Sequence, residues 1–193
     1  MYCGRKCVIL HRFMTAIEYI QLRAFARYDG LKLFALWIAS FAFYVAGLRE
    51  PGLDMVGMVL ALVTPFFVAR LLRRFRDEGL GGCVSFRRGW AYVVFLFFYA
   101  SLLFAIAQFV YFNWMDKGFF VSAITTMLND PSTMEAMKRM GMDGQVSELT
   151  TMLSTMRPID LVLNILTSNL MIGCIVGLPI AALCKRDRVQ QIK

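Results

Sequence analysis

Histidine occurs once in 193 residues, at His11, and charged side chains make up only 18% of the chain. A soluble domain carries about 25% charged and about 45–50% apolar residues. Here 59% are hydrophobic, with 17 Phe and 13 Met. So little polar surface cannot enclose one core in water, which sets aside an ordinary soluble enzyme, a disordered tail and a nucleic-acid-binding domain. The shortage of histidine removes most catalytic constellations as well. No Ser-His-Asp, Cys-His or H-E-x-x-H arrangement can be assembled, and Gly79–Gly82 lacks the Lys-Ser/Thr of a phosphate-binding loop. The expectation is a membrane protein with neither an enzymatic site nor a cofactor.

Charge is missing above all from four runs: Leu31–Leu48 beyond Lys32, Leu53–Leu72 between Asp54 and Arg70, Trp90–Phe112, and Leu161–Cys184. About 20 helical residues at 1.5 Å each cross a hydrocarbon core about 30 Å thick. The expected fold is therefore all-α and polytopic, with four transmembrane helices, an N-terminal interfacial helix and a helical extracytoplasmic loop. Residues 1–30 form the N-terminal segment, with the interfacial helix over Thr15–Tyr28 ended by Asp29-Gly30. Residues 31–184 form the transmembrane domain, with residues 113–160 as its outer loop, and 185–193 a basic tail. Residues 1–13 continue no pattern, which leaves Met14 as an alternative start to Met1. Arg49–Gly52 is short enough to make spans one and two a hairpin, and Pro65 is expected to kink span two.

The charges that remain are sorted by side. Residues 1–32 and 70–89 each carry six Lys/Arg against two acids, and 185–193 four against one, whereas 113–160 carries four against six. Basic residues stay in the cytoplasm, so both termini and the 70–89 linker are expected inside. Trp90, Tyr92, Tyr111 and Trp114 fall near span ends, where aromatic residues gather. The arginines at the linker, Arg70, Arg73, Arg74, Arg76, Arg87 and Arg88, are read as contacts to anionic lipid headgroups. They lack the interleaved aromatics of a base-stacking platform, so nucleic acid is not an expected partner.

In the outer loop, Gly118–Leu128 is apolar but too short to span. Asn129-Asp130-Pro131 breaks it, Ser132 with Glu135 reads as a capping box, and Gln145–Met156 predicts another helix. Pro158 falls near the first turn of span four. No cysteine lies in this loop, so no disulfide is expected there. Cys3, Cys7 and His11 have no second ligand pair at metal-binding spacing, so no metal is expected. Met134, Met137, Met140, Met142, Met152 and Met156 offer thioethers that suit Cu(I), but adaptable apolar packing is the favoured reading.

Within the spans, Asn169, Gly173, Gly177 and Ala181 recur every four residues on one face, with the small-xxx-small pattern of close helix packing. The first functional reading is a non-enzymatic assembly or interaction subunit that meets itself or another membrane protein through this face and the outer methionines. The alternative is a small transporter or lipid- or hydrophobe-binding protein, with a polar pocket between spans three and four built from Gln108, Asn164 and Asn169. Ionisable residues are absent from the span centres, which argues against ion coupling.

Several landmarks occur in a particular order: Phe25-Ala-Arg-Tyr-Asp-Gly30, Ser85-Phe-Arg-Arg-Gly89, Phe98-Tyr-Ala-Ser-Leu102, Tyr111-Phe112 with Asp116-Lys-Gly118, Arg157-Pro-Ile-Asp-Leu161 and Pro179-Ile-Ala181. In order and spacing the chain, over about residues 22–186, resembles domain-of-unknown-function family 4199. The resemblance implies a polytopic protein of the bacterial inner membrane, in Bacteroidota, and implies no activity.

Overall fold

A computed structural model describes residues 15–50, 52–141 and 143–186. The expectations on Cys3, Cys7, His11, Met14, Met142 and the tail beyond Arg186 lie outside them. Seven α-helices follow one another: α1 (Ala16–Gly47), α2 (Leu53–Arg74), α3 (Phe86–Val110), α4 (Phe119–Leu128), α5 (Pro131–Arg139), α6 (Asp143–Thr155) and α7 (Pro158–Cys184). Helix α2 runs on through a π-helical turn at Phe75–Gly79, and α3 through another at Tyr111–Met115. Helices α1, α2, α3 and α7, with the two π turns, are long and apolar enough to cross a membrane. The protein is an all-α polytopic membrane protein.

Helix α1 starts where the side chains of Thr15 and Glu18 cap each other's backbone N–H groups. It then runs unbroken for 32 residues, so the break expected at Asp29-Gly30 is corrected. Both residues are buried inside the helix. The Asp29 carboxylate is held by Lys32 and Tyr92, and is therefore not turned back onto its own backbone. Gly30 is the point where α3 comes closest: a Cβ there would stand 3.0 Å from Tyr99 Cβ. The glycine serves a helix contact and not a turn.

Helix α3 is the central element. Tyr92, Val93, Leu96 and Ala100 are fully buried, with Phe97 and Phe104 nearly so. Helix α1 packs on one side and α7 on another. Helix α2 lies on α1, where the Trp37 indole donates to Thr64 Oγ1 at 3.2 Å and Ser40 Oγ donates to the Gly57 carbonyl at 2.7 Å. Helix α2 meets α7 near their C-termini, where Arg76 Nη1 donates to the Cys184 carbonyl at 3.3 Å. Outward-facing Leu62, Phe66, Ile175 and Leu183 are 63–80% exposed, which suits a hydrocarbon surround.

The four long helices define two ends. The basic end gathers the start of α1, the 75–85 connection and the close of α7. The hairpin end holds the α1–α2 turn and α4. There Phe41 meets Phe104, Tyr111, Phe112 and Phe120 at centroid distances of 5.3–6.4 Å. The chain leaves α3 through Lys117 and Gly118, both at positive φ, while the Asp116 carboxylate accepts from Phe120 N at 3.0 Å and caps α4. The capping box expected at Ser132 is corrected. Asp130 caps α5 by accepting from Ser132 N at 3.1 Å, Pro131 takes the first helical position, and Glu135 pairs along the helix with Arg139. Proline with fixed φ and no N–H to satisfy is well placed there.

Candidate functional site

The small-residue face of α7 is occupied from within the chain. Gly173, Gly177 and Ala181 are buried and lie along α3. A Cβ on Gly173 would overlap the Phe97 ring, and one on Gly177 would come 3.1 Å from Val93 Cγ1. Ala181 lies against Gly89. The expectation that a second molecule uses this face is corrected: small residues let two helix backbones approach, and here α3 already fills that space. Asn169, one turn further, is half-buried.

The three residues of the sequence-derived pocket are placed differently from one another. Gln108 is 2% exposed on α3, Asn169 is half-buried and Asn164 is exposed on α7. The antiparallel register set by Val93–Gly177 and Phe97–Gly173 instead carries Ser101 to the level of Asn169. Ser101 is 1% exposed, and both its Oγ and Gln108 Oε1 are buried without a hydrogen-bond partner. Ser101 and Gln108 stand seven residues apart, two turns along one face of α3. An unpaired polar atom away from water is costly; among the described residues Arg88 Nε and Thr150 Oγ1 share this state, but Arg88 also holds Glu18 and only Ser101 and Gln108 lie in the uncharged stretch of a long helix. Ser101 was not singled out from sequence, where a lone serine in an apolar run is ordinary.

Asp29 was also missed. It is 2% exposed inside the bundle; the Tyr92 hydroxyl donates to Oδ2 at 2.6 Å, and Lys32 Nζ lies 2.7 Å from Oδ1. The Tyr92 ring stacks on Phe75 with centroids 4.5 Å apart. A buried carboxylate with a cation and a hydroxyl is fully engaged, and it ties α1 to α3. Asp29 stands 18 residues from Gly47, about 27 Å along the helix, at the basic-end boundary of a hydrocarbon core. The signal available in sequence was the spacing of Asp29 and Lys32 on one helix face, visible only if the helix continues through Gly30.

The six linker arginines fall into two groups. Arg74, Arg76 and Arg88 pair with Glu78, Asp77 and Glu18 at 2.9, 2.8 and 3.2 Å. Arg70, Arg73 and Arg87 are exposed and make no ion pair among the described residues.

At the hairpin end a cleft of about 410 Å³ opens between the α1–α2 turn and α4, lined in part by Tyr44, Asp54, Phe119 and Thr126. The Arg49 guanidinium sits 4.8 Å from the Phe119 ring centre. Beyond it, Met127, Met134, Met140, Leu149 and Met152 are 44–70% exposed. The hydroxyl of Ser132 beside Asp130 holds that carboxyl below the usual carboxylate range. Among the described residues no three His, Cys, Asp or Glu side chains are grouped to hold a metal ion.

A family model described as "Protein of unknown function (DUF4199)" matches residues 28–186. The chain belongs to this family. Neither a curated protein nor a solved structure matches it. The landmarks that carry the resemblance to the DUF4199 family have physical work in this fold. Asp29-Gly30 locks and seats α1 on α3, Arg88 reaches Glu18, and Asp116 caps α4. Arg157 and Asp160 pair at 2.8 Å where α7 begins, and Ala181 meets Gly89.

Proposed function

We propose that this DUF4199 protein is a non-enzymatic component of the bacterial inner membrane, with its basic end in the cytoplasm, that acts by holding another membrane protein or a second copy of itself against its outer helices. The observation that carries this reading is the run of exposed apolar side chains on α4, α5 and α6 and at the end of α5: Met127, Met134, Met140, Leu149 and Met152. They lie outside the four candidate spans, so lipid tails around the bundle do not account for them. Unbranched methionine adapts to irregular partner surfaces. Because α3 takes the α7 glycine face, these helices are the contact surface left from the sequence reading. The orientation rests on the excess of Lys/Arg at the basic end. Photo-crosslinking from positions 134 and 152 in intact membranes tests the reading. One protein adduct of defined mass is the expected result; adducts with lipid alone overturn it.

A second reading is favoured by the unpartnered Ser101 Oγ and Gln108 Oε1: a neutral hydrogen-bonding solute or lipid group taken up between α3 and α7. Native mass spectrometry after gentle extraction separates the two. A monomer that keeps one small molecule, lost in Gln108→Leu, supports uptake; a stoichiometric protein partner supports assembly.

A further inference from the structure

We propose that the face of α2 carrying Phe66, Arg70 and Arg73 is a binding site for one anionic phospholipid, whose phosphate is held between the two arginines while its chain runs over Phe66. The six linker arginines look equivalent in sequence, but the fold divides them. Arg74, Arg76 and Arg88 each have a carboxylate at 2.8–3.2 Å, so their charge is answered inside the protein. Arg70 and Arg73 are exposed and without an ion pair among the described residues. Of the three linker arginines without an ion pair among the described residues, they are the two that share a helix, at the i, i+3 spacing that puts side chains side by side. Arg87, the third, stands on α3.

The surroundings of this pair specify a lipid over other anions. Thr64 faces α1 through its bond with Trp37, and at about 100° per residue Phe66, Arg70 and Arg73 turn to the opposite side, away from the bundle. Phe66 is 76% exposed and Leu62, one turn earlier, 71% exposed. An apolar stripe that ends in two unpaired guanidiniums matches the build of a phospholipid from chain to headgroup. The depth agrees too. Arg70 and Arg73 lie 17 and 20 residues from Leu53, about 26 and 30 Å along the helix, where a hydrocarbon core about 30 Å thick gives way to headgroups. A guanidinium donates two parallel hydrogen bonds to a phosphate, and two side by side favour a lipid with net negative charge.

The test uses the full chain in nanodiscs of mixed phosphatidylglycerol and phosphatidylcholine, released for native mass spectrometry. Wild-type protein should retain phosphatidylglycerol in preference to phosphatidylcholine. Arg70→Gln/Arg73→Gln should lower that preference about 25-fold, at about fivefold per basic residue near an anionic surface. Arg74→Gln/Arg76→Gln removes the same formal charge and should leave it within about twofold of wild type. Equal loss in both double variants means a diffuse basic surface and overturns the site, as does no loss in either. If the glutamine variant fails to fold, Arg70→Lys/Arg73→Lys keeps the charge while losing the planar donors. It should then retain the lipid more weakly than wild type, and retention equal to wild type overturns the guanidinium site.

Discussion

Helices α2 and α3 are nearly interchangeable as strings, each a long apolar run with charges kept to its ends, yet they hold opposite places. Helix α3 buries ten residues from Gly89 to Gln108 and leaves one stripe, Phe98, Leu102, Ile106 and Val110, to the surroundings, whereas the buried residues of α2 are Gly57, Val68, Leu71 and Leu72. Hydropathy does not separate a central helix from a peripheral one in a membrane, because lipid accepts Leu and Phe as readily as a protein core does. What separates them is how many helices come close: α1 and α7 both seat against α3, whereas the close approach of α2, at Gly57, is to α1. Helix α3 receives Gly30, Gly173 and Gly177 from its neighbours and carries Tyr92, whereas α2 turns Leu62 and Phe66 outward.

The sharpest way to break this comparison is steric. Gly173→Leu drives a side chain into Phe97 and should cost more than about 3 kcal/mol, beyond the usual overpacking range. Leu62→Ala on α2 should stay within about 0.5 kcal/mol. Unfolding by steric trapping in bicelles reads both, and similar losses would erase the distinction between the helices. Next in size is the lock on α3. Asp29→Ala should cost about 3 kcal/mol, the low end for breaking a buried pair because Lys32 keeps some access to solvent. Tyr92→Phe, which removes one hydrogen bond to a charged group, should cost about 1.5 kcal/mol, and the same unfolding assay ranks the two.

A finer contrast sets a partnered serine against an unpartnered one. Ser40→Ala loses the bond to the Gly57 carbonyl and should cost about 0.6 kcal/mol, the average for such bonds between membrane helices. Ser101→Ala should be neutral or stabilising, because its Oγ has no partner among the described residues. A clear loss there would instead mark a group bound between α3 and α7. The smallest effect lies in the outer helices. The Asp130 carboxyl is held below its ordinary range by the Ser132 hydroxyl, so its capping contribution is present above the unfolded-state value and is lost as pH falls through the folded one. Amide exchange in the first turn of α5 should quicken in that acidic window, and Asp130→Asn should flatten the dependence.

The parts of the fold legible in sequence were those set by local chemistry. Four uncharged runs marked four long helices, Pro158 marked the start of α7, and Asn129-Asp130-Pro131 marked the break after α4. Misread positions share a cause. Asp29-Gly30 looks like a helix end because aspartate and glycine usually act on their own backbone, but here both act on α3. The glycine face of α7 was correctly seen as suited to close packing, but a spacing of four does not say which helix arrives. The pocket of Gln108, Asn164 and Asn169 failed to assemble because only Gln108 is turned fully inward.

Composition by itself determined that this chain lives in a bilayer, since lipid is the solvent for 59% hydrophobic residues, and the lack of charge determined where the spans run. Tertiary structure decided that α3 is the centre, that Asp29 is engaged by Lys32 and Tyr92, and that Arg70 and Arg73 have no ion pair among the described residues while Arg74 and Arg76 do. The reason is one of range. Solvent preference and helix propensity act on each residue and its nearest neighbours, whereas a partner for a carboxylate or a space beside a glycine exists only once distant helices have come together.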